Sequence, residues 1–235
     1  MEPSDIEPDS PALAGPTGDR FFDESRWPPA IAVFIYMILN LAARVWLPGS
    51  ALLDVPWLLP AAELTILAVL IFGNPADLVR QRRWLRPTAV ALVCVMVLAA
   101  LWATARLIND LIWGSALTNE PGLLLASGGL VWLGNVLSFA LLYWLLDSGG
   151  PSQRHLNVVP TDFAFTQHLN PEMAPRGWRP TFLDYLHLAF TNSTAFSPTD
   201  VMPLSHRAKY SMLVQSTIAL ALFGLIVARA VNAFT

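Results

Sequence analysis

After residue 26 the chain alternates between long apolar runs and short breaks that contain polar residues, glycine or proline. The runs cover about residues 27–47, 55–72, 88–107, 123–146 and 208–231. A helix needs about 20 apolar residues to cross the hydrocarbon core of a bilayer, and these runs approach or reach that length. The pattern predicts an all-α polytopic membrane protein with about five transmembrane helices and a multi-pass location in the inner (cell) membrane.

The segment between the fourth and fifth runs has a different pattern. Residues 147–180 are polar and rich in proline and histidine, and they predict a long loop or a cap over the segment that follows. Residues 181–193 are half apolar, and a helix of this length spans about 20 Å, too short for a core of about 30 Å. We therefore expect one re-entrant pore-type half-helix. The predicted organisation is a tail over 1–26, four helices over 27–146, the loop over 147–180, a re-entrant hairpin over 181–207 and a terminal helix over 208–235.

Composition supports a membrane location and narrows the classes of partner. The chain has 235 residues, of which 54% are hydrophobic and 13% are charged, whereas soluble proteins average about 25% charged residues. Residues 1–26 carry seven acidic residues and four prolines, and they predict a disordered acidic tail rather than a signal peptide. The net charge of −3 argues against a nucleic-acid partner. The expected partner is the lipid bilayer.

Residues 182–203 carry the most specific motif, FLDYLHLAFTNSTAFSPTDVMP, and a long apolar segment follows it. This order resembles the pore module of tetrameric potassium-channel-like cation channels, in which a pore helix, a filter loop with an acidic residue at its mouth and an inner helix follow one another. The matching positions need no gap, and they are Phe182, Asp184, Leu186, Phe190, Thr191, Thr194, Asp200, Val201 and Pro203. The resemblance implies a homotetramer whose fourth and fifth transmembrane helices surround a path for monovalent cations.

The chain departs from that family at the filter. A potassium channel reads Thr-Val-Gly-Tyr-Gly where this chain reads Ala195-Phe196-Ser197-Pro198-Thr199. Glycine reaches the positive φ that a ladder of inward carbonyls needs, whereas proline is fixed near φ of about −65° and restricts the residue before it. We therefore expect hydroxyls and a carboxylate to line a weakly selective path. The candidate pore residues are Thr191, Thr194, Ala195, Phe196, Ser197, Pro198, Thr199 and Asp200.

Two other functions stay open from the sequence. The same hairpin fits a non-conducting membrane scaffold that kept the fold and lost the filter, with its Ser, Pro, Thr and Asp residues forming only a turn. An enzyme built on a metal site in the loop would use His155, His168, His187 or His206. The chain has neither a His-Glu-x-x-His motif nor a pair of cysteines. We therefore expect no enzyme, no catalytic residue, no metal and no cofactor.

The ionisable residues inside the predicted helices include Glu63 and Arg106. Glu63 is the deepest carboxylate, and an ionisable side chain in a membrane usually faces the protein interior and has a partner. Arg106 and Arg44 are the candidate partners. Such a pair would act either as a proton or ion relay or as a structural contact.

Two features of the sequence predict opposite membrane orientations. The basic run over 80–86 predicts a cytoplasmic loop by positive-inside bias, and with five helices the hairpin lies on the same side. The pore loops of the channels that the motif resembles enter from outside. The charge bias favours a cytoplasmic N-terminus.

Overall fold

The computed structural model describes residue 25 and residues 27–46, 58–72, 85–113, 121–156, 159–194 and 200–233. The predicted acidic tail, apart from residue 25, lies outside the described residues. The candidate filter residues 195–199 also lie outside them.

The described chain is mostly helical, as the apolar runs predict. The long helices are α1 (Trp27–Trp46), α2 (Leu58–Phe72), α3 (Leu85–Trp113), α4 (Pro121–Leu146) and α8 (His206–Ala233). Shorter elements lie between α4 and α8, and they are a 3-10 turn (Asp147–Gly149), α5 (Pro151–Leu156), β1 (Phe163–Phe165), α6 (Thr166–Leu169), α7 (Phe182–Thr194) and β2 (Val201–Pro203).

Two of the described helical segments, Pro87–Trp113 and Gly122–Gly149, are long and apolar enough to cross a membrane. A shorter apolar helix covers Trp27–Ala43. The prediction of a mostly helical protein is confirmed, and two of its helices have the length and apolarity that a membrane crossing needs. The count of five transmembrane helices stays a prediction.

α4 is the central helix of the fold. It packs against α1, α3, α7 and α8, and its residues from Val136 to Trp144 are all buried. A helix that is covered on every side needs apolar residues around its whole circumference, and this run is apolar except for one serine. The core around it includes Val33 of α1 and Met96 of α3, both 0% exposed.

The outer faces of the helices are also apolar. Phe34 of α1, Leu98 of α3, and Leu213 and Phe223 of α8 are each more than half exposed. Water would make such exposure unfavourable, whereas lipid tails are as apolar as leucine. The surface is therefore the one expected of helices that face a bilayer or further helices.

The described residues between α4 and α7, which are 147–156 and 159–181, form a small cap of short elements. Strand β1 of the cap pairs antiparallel with β2, and the opposing residues are Phe163 and Pro203, Ala164 and Met202, and Phe165 and Val201. The all-α prediction missed this ribbon because each strand has only three residues and its partner lies far along the chain. The ribbon places the segment before α7 beside the segment that follows it.

Local capping fixes the residues at which α7 and α8 begin. Thr181 precedes α7. Its backbone N–H and its hydroxyl donate hydrogen bonds to the Asp184 carboxylate, at 2.7 Å and 2.9 Å. Ser205 precedes α8, and its hydroxyl oxygen accepts a hydrogen bond from the N–H of Ala208 at 3.2 Å. Such contacts satisfy polar groups that have no partner within the first helical turn.

Candidate functional site

The predicted pore helix corresponds to α7, a helix of 13 residues that packs against α4 and α8. Its buried face carries Phe182, Tyr185, Leu188, Asn192 and Ser193. A helix of this length spans only about 20 Å. α7 is therefore a half-helix whose contact with the two long helices is partly polar.

A buried hydrogen-bond network joins α7 to α4 and α8. Gln215 of α8 lies at its centre, and its Oε1 accepts hydrogen bonds from the Tyr143 hydroxyl at 2.6 Å and from Asn192 Nδ2 at 2.8 Å. Its Nε2 donates to the Ala189 carbonyl at 3.0 Å and to Ser193 Oγ at 2.9 Å. Both polar atoms of the Gln215 side chain thus have partners on neighbouring helices.

Asn192 of α7 extends the same network. Its Nδ2 also donates to the Met212 carbonyl at 3.0 Å, and its Oδ1 accepts a hydrogen bond from Ser216 Oγ at 3.0 Å. Asn192 is 1% exposed and Gln215 is 0% exposed. Buried polar groups cost free energy unless they are paired. The network therefore fixes the register of α7 against both long helices.

A second buried cluster surrounds Asp147, directly after α4. Its Oδ2 accepts a hydrogen bond from the Tyr185 hydroxyl at 2.5 Å and lies 3.6 Å from Arg154 Nη1. Arg154 also donates to the Tyr185 hydroxyl and to the Trp144 carbonyl. The Asp147 side chain is 0% exposed and that of Arg154 is 7% exposed. The cluster is a buried ion pair that ties the N-terminal half of α7 to the end of α4.

The other carboxylate oxygen of Asp147 organises the cap. Its Oδ1 accepts hydrogen bonds from the N–H of Asp162 at 2.7 Å, from the N–H of Phe163 at 3.3 Å and from the Thr161 hydroxyl at 2.9 Å. One carboxylate thus accepts hydrogen bonds from the cap backbone and from α7. The cap and the half-helix are fixed to the same point of the fold.

The turn after α4 brings Arg154 back to Asp147. Ser148, Gly149 and Gly150 have φ of 52°, 81° and 93°. Glycine adopts positive φ without steric cost, and a Cβ at Gly149 would also lie only 3.0 Å from the Cβ of Gln153. The chain reverses here, so that α5 carries Arg154 beside the carboxylate.

The described segments before and after α7 lie side by side. The β1–β2 ribbon joins the segments on either side, and the N–H of Thr166 donates to the Asp200 carbonyl at 3.1 Å. Arg207 donates from Nε and Nη2 to the two carboxylate oxygens of Asp162 at 2.7 and 2.6 Å. Arg207 precedes the apolar run 208–231, and these hydrogen bonds raise its pKa. The charged pair closes the hairpin against the start of α8.

The described pore candidates lie on the open side of α7 and where the chain returns. The hydroxyls of Thr191 and Thr194 donate to carbonyls of their own helix, at 2.9 Å to His187 and at 3.0 Å to Phe190. Asp200 Oδ2 lies 3.4 Å from His187 Nδ1. The structure therefore brings Asp200 beside the second turn of α7. The remaining candidates lie outside the described residues, and they are Ala195, Phe196, Ser197, Pro198 and Thr199.

The two intramembrane polar candidates form no ion pair with each other in the described part of the chain. Glu63 is 3% exposed, and its Oε1 accepts a hydrogen bond from Asn40 Nδ2 at 2.6 Å. The Nε of Arg106 is buried and has no hydrogen-bond partner among the described residues. Glu63 of α2 is thus linked to α1 by the side-chain amide of Asn40. The side chain of Arg44 lies outside the described residues.

Two of the four histidines pack against aromatic side chains. His168 packs edge-on against Phe165 and Trp178, and His206 lies beside Tyr210. Across the described ranges, no group of three or more His, Cys, Asp or Glu side chains could hold a metal ion. These contacts are those of packed aromatic rings.

Sequence reasoning missed the side chains that hold α7 in place, which are Tyr143, Asp147, Arg154, Asn192 and Gln215. A signal was present, because Gln215 interrupts the predicted terminal helix and Asp147 ends an apolar run. Polar residues at such positions usually bond to another helix. Their contacts with α7 include pairs of residues 23 to 38 positions apart, and Tyr143 meets Gln215 from 72 positions away, so the pattern does not reveal the pairing.

Comparison with protein-family models, with curated proteins and with solved structures found no match for this chain. The resemblance of residues 182–203 to a pore module therefore rests on the motif itself. The geometry defines a helical protein in which a half-helix and its flanking segments are fixed against two long helices.

Proposed function

We propose that this protein is a channel-like integral membrane protein that conducts cations with weak selectivity as a homotetramer. In this proposal α1 to α4 and α8 are five transmembrane helices, and α7 with the return to β2 is the re-entrant pore hairpin. The observation that carries the proposal is the path of the chain around α7, because β1 and β2 flank the half-helix and pair with each other. A re-entrant hairpin must enter and leave the bundle on one side, and protein or a water-filled cavity must cover it.

The open face of α7 carries polar side chains suited to a pore wall, beside the exposed apolar Leu183 and Phe190. His187, Thr191 and Thr194 recur at helical spacing, and none of the three is buried. The opposite face, which includes Leu188 and Asn192, is buried. Polar side chains at membrane depth face protein or water rather than lipid. In an oligomer the open face would line a hydrated path.

The exposed face of α8 supports association with further copies. Residues at alternating spacings of three and four share this face, and they are Tyr210, Leu213, Thr217, Leu220, Gly224 and Val227. This heptad spacing is typical of helices that pack side by side. A Cβ at Gly224 would meet nothing within 4 Å in one protomer, and small residues let membrane helices approach closely. We propose that this stripe contacts other copies of the chain.

The weak selectivity follows from the residues between α7 and β2. The glycines of a carbonyl ladder are absent there, so a bound cation would keep much of its water. The Asp200 side chain is 38% exposed, and a carboxylate at a narrow mouth raises the local concentration of cations. The proposed path therefore favours cations over anions without choosing strongly among cations.

Cation flux through purified protein in liposomes tests the proposal, once size-exclusion chromatography with light scattering has verified the oligomer. Wild-type protein should pass monovalent cations. Asp200→Asn should reduce the flux about twofold or more at low salt, because a unit charge about 10 Å away in water changes the local cation concentration about twofold. The loss should shrink at high salt, where ions screen the carboxylate. Glu172→Gln removes an exposed carboxylate of the cap and is the matched control, with flux unchanged.

The rival function is a non-conducting membrane scaffold, and the filter without glycines is the observation that favours it. A verified wild-type oligomer that passes no cations over a range of pH and voltage would support the scaffold. Flux that is equal in wild type and Asp200→Asn at low salt would contradict the role given to that carboxylate.

A further inference from the structure

His187 and Asp200 make a contact that the proposed function does not use. Nδ1 of His187 lies 3.4 Å from Oδ2 of Asp200, and the two side chains are 60% and 38% exposed. Histidine is the side chain that ordinarily changes its charge between about pH 5 and pH 8. The contact is an ion pair when His187 is protonated and a weak polar contact when it is neutral.

Both partners are held in place by the fold. His187 lies on α7, whose buried face is bonded to α4 and α8. Asp200 is anchored through its carbonyl, which accepts a hydrogen bond from the N–H of Thr166 at 3.1 Å. A positive charge on His187 therefore arises beside the carboxylate that is expected at the mouth of the pore.

Three other acidic side chains around α7 already have partners. These are Asp184 with Thr181, Asp147 with Arg154, and Asp162 with Arg207. Lys209 of α8 and His168 of the cap are exposed. Among the described residues, Asp200 thus meets one titratable partner within ion-pair distance, and that partner is His187.

We propose that His187 is a proton-controlled counter-charge for Asp200, an inference that rests on the proposed function. When His187 is neutral, the carboxylate presents its negative charge to the mouth and attracts cations. When His187 binds a proton, the imidazolium cancels that charge within the subunit and holds the carboxylate against α7. Acidification therefore reduces cation entry without a change of fold.

Cation flux into liposomes at low salt tests this regulation. Wild-type flux should fall about twofold or more between about pH 8 and about pH 5. His187→Gln should keep its flux at acid pH, because the amide carries no charge. His168→Gln replaces an exposed histidine of the cap and should keep the wild-type pH profile. A pH profile of His187→Gln that equals the wild-type profile would overturn the inference.

Thermal unfolding gives a readout that does not depend on conduction. In this proposal a protonated His187 forms an ion pair with Asp200 that adds stability, and a neutral His187 does not. The wild-type midpoint should exceed that of His187→Gln by about 1–3 °C at about pH 5 and by nothing measurable at about pH 8. Protein that shows this difference but passes no ions would contradict the proposed function and support the ion pair. Equal thermal midpoints for wild type and His187→Gln at about pH 5 would contradict the proposed ion pair, whatever the flux measurement shows.

Discussion

Replacing Asp147 by asparagine should destabilise the protein far more than replacing an exposed carboxylate does. Asp147 faces Arg154 and accepts a hydrogen bond from Tyr185, and its side chain is 0% exposed. Asparagine keeps the size and shape of the side chain, but it removes the negative charge and replaces one acceptor oxygen by an NH₂ donor. The Arg154 guanidinium then loses the counter-charge of Asp147 in a site where it is only 7% exposed.

The expected magnitude follows from that burial. Removing one partner of a buried ion pair costs about 3–5 kcal/mol, because the remaining charge stays in a site of low dielectric constant. In a chain of this size about 1 kcal/mol shifts the thermal midpoint by about 2–4 °C, so Asp147→Asn should lower it by about 6–20 °C. Glu172→Gln on the surface of the cap should change it by less than about 2 °C, because surface substitutions stay within about 0.5 kcal/mol.

Thermal unfolding of the detergent-purified protein, followed by tryptophan fluorescence, measures both changes. A double-mutant cycle with Arg154→Met separates the charge from the lost hydrogen bonds. If the buried charge dominates, the double variant should be more stable than the sum of the two single losses predicts. Additive losses would refute this reasoning, as would a loss for Asp147→Asn no larger than that for Glu172→Gln.

Three further predictions concern the amide network, the tail and the orientation. Gln215→Leu should lower the free energy of unfolding by about 1–3 kcal/mol, because it leaves buried polar groups on α4 and α7 without their partner. Thr65→Val on the exposed side of α2 should change this free energy little, and denaturant or thermal unfolding compares the two variants. Removing residues 1–24 should leave expression and oligomer size unchanged, because that composition cannot bury a core, and loss of membrane insertion would contradict this. In a Cys94→Ala background, a single cysteine in place of Gln81 should resist a membrane-impermeant reagent on intact cells, and its labelling would place the basic run outside.

The long helices could be predicted from the sequence because the length and apolarity of a run largely decide them. α1 and α4 cover residues 27–46 and 121–146, close to the apolar runs at 27–47 and 123–146. α3 continues to Trp113, past the predicted end near residue 107. Asn109 lies on the exposed side of α3, where a polar residue does not interrupt a helix, and the next glycine in the sequence is Gly114.

The candidate site could be predicted only in outline. The position of α7 follows from a half-apolar stretch too short to cross a membrane. The contacts that hold it join residues far apart in the chain, 72 residues for Tyr143 with Gln215 and 38 for Asp147 with Tyr185. A single sequence shows that these residues are polar, but it does not show which of them meet. The three-residue strands are likewise too short to display the alternation that predicts a sheet.

The positions of these contacts explain how the proposed pore hairpin would keep its place without a glycine-containing filter. Gln215 and Asn192 fix the C-terminal half of α7, whereas Asp147 and Arg154 fix its N-terminal half. The β1–β2 ribbon closes the base, and none of these groups belongs to residues 195–199. Because the half-helix is held from outside that segment, the segment can depart from the potassium-channel sequence without loosening the framework. The stability losses expected for Asp147→Asn and Gln215→Leu therefore test this framework, and ion flux is the measurement that separates a weakly selective pore from a scaffold.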